Sequence, residues 1–226
     1  MNQYMLKEKM KVYFIMGSTN CSTDAEEVLE KALKGGATLF QFREKGTGCL
    51  EGGSRTELAM ALQKVCRRYN VPFIINDDIQ LMKHLDADGL HVGQEDGDLA
   101  EIRKAIPGKL LGVSVHNLKE ARHALEVGAD YLGVGPIYPT GTKTDTRPVM
   151  GYSVIRELRE NGIDAPIVGI GGISASNASG VTQAGADGVA VITAISSHQE
   201  PDEAAYELLK SVEKGKESNP SNKIIK

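Results

Sequence analysis

Two aspartates and three cations of this 226-residue chain are of the types that hold a metal ion together with an anionic substrate. Asp77 directly follows the apolar run PFIIN, and Asp96 comes shortly after the next run, GLHV. Two carboxylates, completed by water and phosphate oxygens, are the usual protein share of a Mg²⁺ site. Alternatively, Asp77 or Asp78 caps the following helix. Cations beside metal-binding carboxylates are typical of a diphosphate site, and the cations that follow other apolar runs are Arg43, Lys45 and Lys143.

A second anion site is predicted where the last two apolar runs end. Gly171 and Gly172 follow the run PIVGI, and glycines let backbone N–H groups approach an oxyanion closely. A helix beginning near Ser174 would add the positive end of its dipole. Ile192 and Thr193, at the end of GVAVI, offer further amides and a hydroxyl. We therefore expect a monophosphate here, although the glycines could instead serve only a tight turn.

The segment GPIYPTGTKTDTRP, residues 135–148, has a composition that suits neither a helix nor a strand. Glycine and proline mark turns, and threonine hydroxyls compete with backbone hydrogen bonds, so a loop is predicted. Its hydroxyls and cations could hold an anion, while the competing interpretation is a solvated surface turn. Within it, we expect Asp145 and Arg147 to pair.

Short apolar runs alternate with longer amphipathic segments along the whole chain, a pattern typical of βα units with a parallel sheet. Glycine and small residues recur just before the runs, as in VGAD and AGAD, which favours a closed barrel. An open doubly wound sheet is the alternative. We predict an α/β fold, a single (β/α)8 TIM barrel over residues 1–213, with a flexible tail at 214–226. In such a barrel the loops after the strands share one face and carry the chemistry.

Composition excludes several classes of protein. A net charge of -4 without a broad basic face argues against nucleic-acid binding. No apolar segment has the length of a membrane span or signal peptide. The three cysteines lack metal-ligand spacing, and no His/Cys cluster suits zinc. We therefore expect a cytoplasmic protein with small-molecule partners, and the sequence leaves open whether it forms a homo-oligomer.

Seven motifs, in this order, resemble those of the thiamine phosphate synthase family: QFREKG, NDD, HVGQED, GVSVH, GPIYPTGTKTDTR, VGIGGI and GVAVITAI. The resemblance runs from the first predicted strand to the eighth. It implies a (β/α)8 barrel that uses Mg²⁺ and joins hydroxymethylpyrimidine diphosphate to a thiazole phosphate, its carboxylated form included, to give thiamine phosphate and diphosphate.

The resemblance also implies roles for individual residues. Asp77 and Asp96 match the metal ligands. The pyrimidine diphosphate would contact Gln41, Phe42, Arg43, Glu44, Lys45, Asn76, Ser114 and Lys143. The thiazole phosphate would contact Thr140, Thr142, Gly172, Ile192 and Thr193. The catalytic set would be Arg43, Lys45, Ser114 and Lys143. Thr193 replaces a common serine, and residues 48–55 differ from the family in composition.

No Ser-His-Asp or Cys-His nucleophile system is evident in the sequence. We expect instead that the metal and the cations draw off diphosphate, leaving a pyrimidine carbocation that the thiazole nitrogen captures. His91 lies inside a predicted strand, so we interpret it as a barrel-interior or rim residue rather than a base. Three alternatives stay open: a thiazole tautomerase-like paralogue, a phosphosugar isomerase or aldolase, and a non-catalytic barrel that binds a phosphate ligand.

Overall fold

Eight parallel strands form a closed barrel, and this confirms the predicted (β/α)8 fold. The structure, a computed structural model, describes residues 2–21, 23–140 and 149–219. Pairing of β1 with β8, for example Val12 with Val189, closes the barrel and excludes the open sheet. The runs PFIIN, GLHV, PIVGI and GVAVI each match a strand to within one residue at either end. The strands are β1 (Val12–Met16), β2 (Leu39–Phe42), β3 (Phe73–Asn76), β4 (Gly89–Val92), β5 (Leu110–Val115), β6 (Tyr131–Val134), β7 (Ile167–Ile170) and β8 (Gly188–Val191).

Helices cover the barrel, and several begin at a capping side chain that accepts a hydrogen bond from a backbone N–H of the first turn. Asp24, Asp78, Asp98 and Asn117 act in this way. The helices are α1 (Gln3–Lys9), α2 (Ala25–Lys34), α3 (Gly52–Arg68), α4 (Ile79–His84), α5 (Leu99–Ala105), α6 (Leu118–Val127), α7 (Ser153–Glu160), α8 (Ala178–Gln183), α9 (Thr193–Ser196) and α10 (Pro201–Ser218).

Alternation along the strands divides the buried side chains into two clusters, because successive residues of a strand point to opposite faces. The outer cluster fills the space between strands and helices and includes the stacked rings of Phe42 and Phe73. The inner cluster fills the barrel and includes Tyr13 and Tyr131. Leu6 of α1 belongs to the inner cluster. Helix α1 therefore covers the N-terminal end of the barrel and leaves the other end for chemistry.

The residues that recur just before the strands, as in VGAD and AGAD, have a structural role at the N-terminal face of the barrel. The carboxylates of Asp88, Asp130 and Asp187 each accept a hydrogen bond, 2.8 to 2.9 Å long, from the N–H of a residue in the preceding strand. Gly128 and Gly185, two residues before Asp130 and Asp187, have φ of 100° and 114°, conformations that glycine adopts cheaply. The repeat therefore joins neighbouring strands and stabilises the fold.

The last helix extends beyond the boundary expected from the sequence. The sequence predicts a tail from residue 214, but α10 continues to Ser218. Gly215 lies so close to α8 that a Cβ there would come within 2.0 Å of the Thr182 hydroxyl oxygen. This packing keeps residues 214–218 on the barrel. No helix in the part of the chain that the structure describes is long and apolar enough to cross a membrane.

Candidate functional site

A cavity of about 470 Å³ opens at the C-terminal end of the barrel, the face on which the sequence placed the chemistry. Its walls come from loops after most of the strands, so residues far apart in sequence meet there. The predicted site residues that line it are Gln41, Arg43, Lys45, Asn76, Asp77, Asp96, Ser114, Thr140, Gly172, Ile192 and Thr193. The structure therefore brings together most of the predicted set.

Asp77 and Asp96 meet at one side of this cavity, and the backbone fixes both. Asp77 has a left-handed conformation, φ 61°, and its N–H donates to the His91 carbonyl at 2.9 Å. Asp96 accepts a hydrogen bond of 2.6 Å from the N–H of Gly93. The ammonium of Lys45 contacts the Asp77 carboxylate directly. The Asp77 carboxylate thus contacts both the Lys45 ammonium and the Asp96 carboxylate.

The two carboxyl groups shift each other's pKa in opposite directions. Burial raises the pKa of Asp77, Lys45 opposes this rise, and the adjacent Asp96 adds to it. Burial also acts on Asp96, but the Gly93 N–H, the hydrogen bond with Asp77 and the Lys45 charge hold the pKa of Asp96 below its ordinary value. The opposite shifts follow from the close approach of the two carboxyl groups beside a single ammonium.

The donor set fits Mg²⁺. Carboxylate oxygens are hard ligands, and Mg²⁺ usually takes one or two of them and completes its shell with water and substrate phosphates. Within the described residues no group of three or more His, Cys, Asp or Glu side chains could hold a metal. A pair of carboxylates at the edge of an open cavity thus suits a metal that a phosphorylated substrate helps to bind.

Asp78, the neighbour of Asp77, has the capping role. Its carboxylate accepts from the N–H of Leu81 at 2.8 Å and pairs with Arg55 at 2.9 Å. The capping alternative is therefore confirmed for Asp78, while Asp77 faces the cavity. The left-handed turn at Asp77 is what separates the two adjacent side chains.

The opposite side of the cavity is built from backbone. Gly171 and Gly172 have φ of 98° and 62°. A Cβ at Gly172 would come within 2.4 Å of the Pro139 carbonyl oxygen, so the loop after β6 can pack here only against glycine. Helix α8 begins at Ala178, which corrects the start expected near Ser174. The intervening residues form a turn in which the Asn177 side chain accepts from the Ser174 N–H at 2.9 Å.

The floor of the cavity holds a line of hydrogen-bonded polar groups that crosses the barrel. Gln41 Nε2 lies 2.7 Å from the Tyr13 hydroxyl, which lies 2.8 Å from the Tyr131 hydroxyl. The Tyr131 hydroxyl lies 3.2 Å from His91 Nδ1, and His91 Nε2 lies 2.9 Å from Ser114 Oγ. His91 is therefore a barrel-interior residue, as predicted.

The Ser–His contact was missed from the sequence. The sequence shows no Ser-His-Asp nucleophile system and gives no sign of this contact, which arises because β4 pairs with β5 so that His91 lies opposite Gly112, two residues before Ser114. The third partner is the phenol of Tyr131 and not a carboxylate. Alternation along β1 and β6 is the signal that would have placed Tyr13 and Tyr131 inside the barrel.

Residues 12–195 match the sequence model of a family described as thiamine monophosphate synthase. The chain belongs to the thiamine monophosphate synthase family. The match includes every strand of the barrel and confirms the family predicted from the motifs. The prediction of a transferase in thiamine biosynthesis is confirmed with it.

Named relatives agree with membership of the thiamine monophosphate synthase family. The chain is 56% identical over 207 residues to a thiamine-phosphate synthase of Geobacillus thermodenitrificans, covering 92% of this chain and 94% of the relative. It is 53% identical over 213 residues to a thiamine-phosphate synthase of Bacillus licheniformis, covering 94% and 95%. A solved structure of thiamine phosphate pyrophosphorylase from Pyrococcus furiosus matches with a TM-score of 0.83 at 34% identity, covering 93% of this chain and 98% of that chain.

Two residues that the family resemblance assigned to the pyrimidine diphosphate point away from the cavity. Phe42 belongs to the outer cluster and stacks on Phe73. Glu44 is buried and accepts hydrogen bonds from the Ser18 N–H at 2.7 Å, the Ser18 hydroxyl at 2.5 Å and the Leu50 N–H at 2.8 Å. Glu44 thus joins the loop after β1 to the loop after β2.

Part of the loop after β6 lies outside the described residues, and with it Thr142, Lys143 and the predicted pairing of Asp145 with Arg147. Tyr138, in the described part of this loop, contacts the Tyr152 hydroxyl and donates to the Asn177 carbonyl at 3.3 Å. Its ring therefore packs the start of the loop against α7 and α8.

Proposed function

We propose that this chain condenses hydroxymethylpyrimidine diphosphate with thiazole phosphate to give thiamine phosphate and diphosphate. The observation that carries the proposal is a single cavity with two different anion-binding sides. One side holds Arg43, Lys45 and the carboxylate pair, and the other is the glycine-rich backbone at Gly172. A condensation of two phosphorylated substrates requires that both substrates bind in the same cavity, each with its own anion-binding side.

The diphosphate side suits stabilisation of a leaving group. The C–O bond between the pyrimidine methylene and diphosphate would break with its electron pair leaving on diphosphate. Arg43 and Lys45 line the cavity where charge would develop, and Lys143 is proposed to join them. Charged donors aimed at such an oxyanion are worth roughly 3 kcal/mol each in the transition state. The remaining carbocation is stabilised by the electron-rich pyrimidine ring.

Asp77 and Asp96 are the residues that would hold Mg²⁺. When bound, the ion would neutralise the negative charge of the diphosphate oxygens. Lys45 contacts Asp77 in the same corner of the cavity, so it is placed to exchange that carboxylate for a diphosphate oxygen. This arrangement would hold the departing group without a covalent bond to the protein.

The thiazole phosphate would bind on the opposite side. Thr140, Gly172, Ile192 and Thr193 line that side, and Thr142 is proposed to join them. Anchoring the phosphate there leaves the thiazole ring over the barrel axis, where its nitrogen lone pair can form the C–N bond to the methylene carbon.

Purified protein with both substrates and Mg²⁺ tests the proposal by quantifying thiamine phosphate and diphosphate in the same samples. We expect equal amounts of the two products, loss of turnover with EDTA and recovery when excess Mg²⁺ is added. Thiazole phosphate alone, and its carboxylated form alone, are the controls for a tautomerase. Isomerisation of the thiazole without formation of thiamine phosphate would contradict the proposal.

A further inference from the structure

The line of polar groups beneath the cavity has a definite direction, which follows from the number of protons each group carries. Tyr13 and Tyr131 are fully buried, and a phenol has one proton to donate. Gln41 Nε2 donates to the Tyr13 hydroxyl. In the described part of the chain the Tyr13 hydroxyl has one further partner, Tyr131, so its proton must go there.

The same reasoning carries the direction onward to the cavity. The Tyr131 hydroxyl accepts from Tyr13 and therefore donates its own proton to His91 Nδ1. A neutral imidazole that accepts at Nδ1 carries its proton at Nε2. His91 Nε2 then donates to Ser114 Oγ, and the serine proton is left for a group in the cavity.

We infer that Tyr13, Tyr131 and His91 are positioning residues that hold the Ser114 hydroxyl as a hydrogen-bond donor toward the cavity. The same direction leaves the Gln41 side-chain oxygen as an acceptor at the other end. An aminopyrimidine diphosphate offers amino N–H donors together with ring nitrogens and phosphate oxygens that accept. We call the hydrogen-bonded line from Gln41 through Tyr13, Tyr131 and His91 to Ser114 the relay. The identity of the ligand rests on the proposed function, whereas the direction of the hydrogen bonds in the relay does not.

The barrel is built around this relay. A Cβ at Gly112 would lie 2.1 Å from Cζ of Tyr131 and 2.5 Å from His91 Nδ1, so the relay requires glycine at this position of β5. Burial raises the pKa of both tyrosines, which therefore stay neutral and keep their protons. The strand thus leaves room for the rings of Tyr131 and His91, and burial keeps the phenols of Tyr13 and Tyr131 protonated.

The direction also separates this serine from a catalytic nucleophile. In a nucleophilic triad the histidine accepts the serine proton, because a carboxylate on its other side accepts an N–H. Here the group on the other side is a phenol that gives a proton. The two arrangements differ in which ring nitrogen of His91 carries hydrogen, and this difference is measurable.

Nuclear magnetic resonance of ¹⁵N-labelled histidine in the whole chain tests the direction without any substrate. Of the five histidines, His91 is identified by the signal lost in His91→Asn. At a pH where the ring is neutral we expect the Nε2–H tautomer. Tyr131→Phe should abolish that single tautomer, and Tyr69→Phe, which removes a phenol outside the barrel, should leave it. An Nδ1–H tautomer in the unaltered chain would overturn the inference.

Kinetics test whether the relay acts through Ser114. Tyr131→Phe should lower kcat about 10-fold, part of what loss of a transition-state donor costs, with KM for thiazole phosphate unchanged. In a Ser114→Ala background the same change should lower kcat less than about 2-fold, because coupled residues are not additive. An undiminished effect in that background would show that Tyr131 does not act through Ser114.

Thermal denaturation establishes that each variant folds. If Tyr131→Phe fails to fold, Tyr13→Phe removes the donor that fixes the direction of the Tyr131 hydroxyl. Tyr131 still contacts His91 there, so we expect a smaller fall in kcat and a minor population of the Nδ1–H tautomer. A chain that gives the expected tautomer but makes no thiamine phosphate would overturn the proposed function and leave the direction of the relay standing. A chain that makes thiamine phosphate but shows the opposite tautomer would do the reverse.

Discussion

The two sides of the cavity are built from different parts of the chain. The side formed after β2, β3 and β4 uses side chains, because Asp77 contacts both Lys45 and Asp96. The side formed after β7 uses the backbone, because glycine at 171 and 172 is what lets the loop after β6 approach. The first side therefore depends on charge, and the second depends on shape.

This difference predicts different responses to substitution. On the first side a change that preserves size but removes charge should act on the chemical step. On the second side a change that adds a single carbon should act on the binding of one substrate. Each of the following variants is chosen to separate charge from shape.

Asp77→Asn is expected to have the largest effect, lowering kcat at least about 100-fold at saturating Mg²⁺. The variant keeps the size of the side chain, and asparagine tolerates the left-handed conformation that this position has. The loss is therefore one of charge. Steady-state kinetics over a range of Mg²⁺ concentrations measure it, together with a higher Mg²⁺ concentration for half-maximal rate.

Asp86→Asn is the matched control for that variant. Asp86 also has positive φ, 48°, but it lies at the opposite end of the barrel, where its carboxylate pairs with Lys109. We expect kcat and the Mg²⁺ dependence to stay unchanged. Comparable losses in the two variants would mean that backbone strain, and not the cavity carboxylate, explains the result for Asp77.

Gly172→Ala tests the second side and should raise KM for thiazole phosphate more than about 10-fold. An alanine with positive φ costs about 1–2 kcal/mol, and its Cβ would also overlap the Pro139 carbonyl. In the proposed function the pyrimidine diphosphate binds on the other side, so we expect its KM to change little. Separate titrations of the two substrates measure the asymmetry.

Gly151→Ala isolates the contribution of the clash. Gly151 has the same φ, 62°, but no atom lies within 4 Å of the position that its Cβ would take. We expect a loss of stability similar to that expected from the φ strain alone and no change in either KM. An equal rise of both KM values in Gly172→Ala would contradict the division of the cavity into two sides.

Thr193→Val is predicted to have a smaller effect, raising KM for thiazole phosphate about 3- to 10-fold, the range for one lost hydrogen bond. Valine keeps the shape of threonine, so the variant removes only the hydroxyl at the start of α9. Thr193→Ser keeps the hydroxyl and should bind thiazole phosphate as the unaltered chain does. If serine and valine weaken binding equally, the methyl group and not the hydroxyl is what the site uses.

The barrel fold could be predicted from the sequence because each strand is a short apolar run bounded by turn residues. The sequence also distinguishes the residues at the end of β2 that line the cavity from those that face away from it. The alternation of a strand continues past Phe42: Gln41, Arg43 and Lys45 line the cavity, while Phe42 and Glu44 face away from it. Extending the two-residue alternation of the strand into the loop would remove Phe42 and Glu44 from the predicted site.

Other features could not be read from the sequence because they depend on geometry across strands. The contact between His91 and Ser114 requires the register of β4 on β5. The division of roles between Asp77 and Asp78 depends on one positive φ. Neither register nor φ at a non-glycine residue follows from residue type. The sequence therefore gives no sign of the contact between His91 and Ser114, and it leaves the capping role open between Asp77 and Asp78.

Phe42→Leu gives the smallest expected effect on activity and tests the alternation directly. The ring packs on Phe73 between β2 and the helices, so its replacement by a smaller apolar side chain should lower the free energy of unfolding by about 1 kcal/mol. Because the cavity is on the other face of β2, kcat and both KM values should match those of the unaltered chain. Denaturant unfolding and steady-state kinetics on the same preparation measure the two quantities. A rise in KM for the pyrimidine diphosphate with no loss of stability would put Phe42 back in the site and show that alternation does not hold at the end of β2.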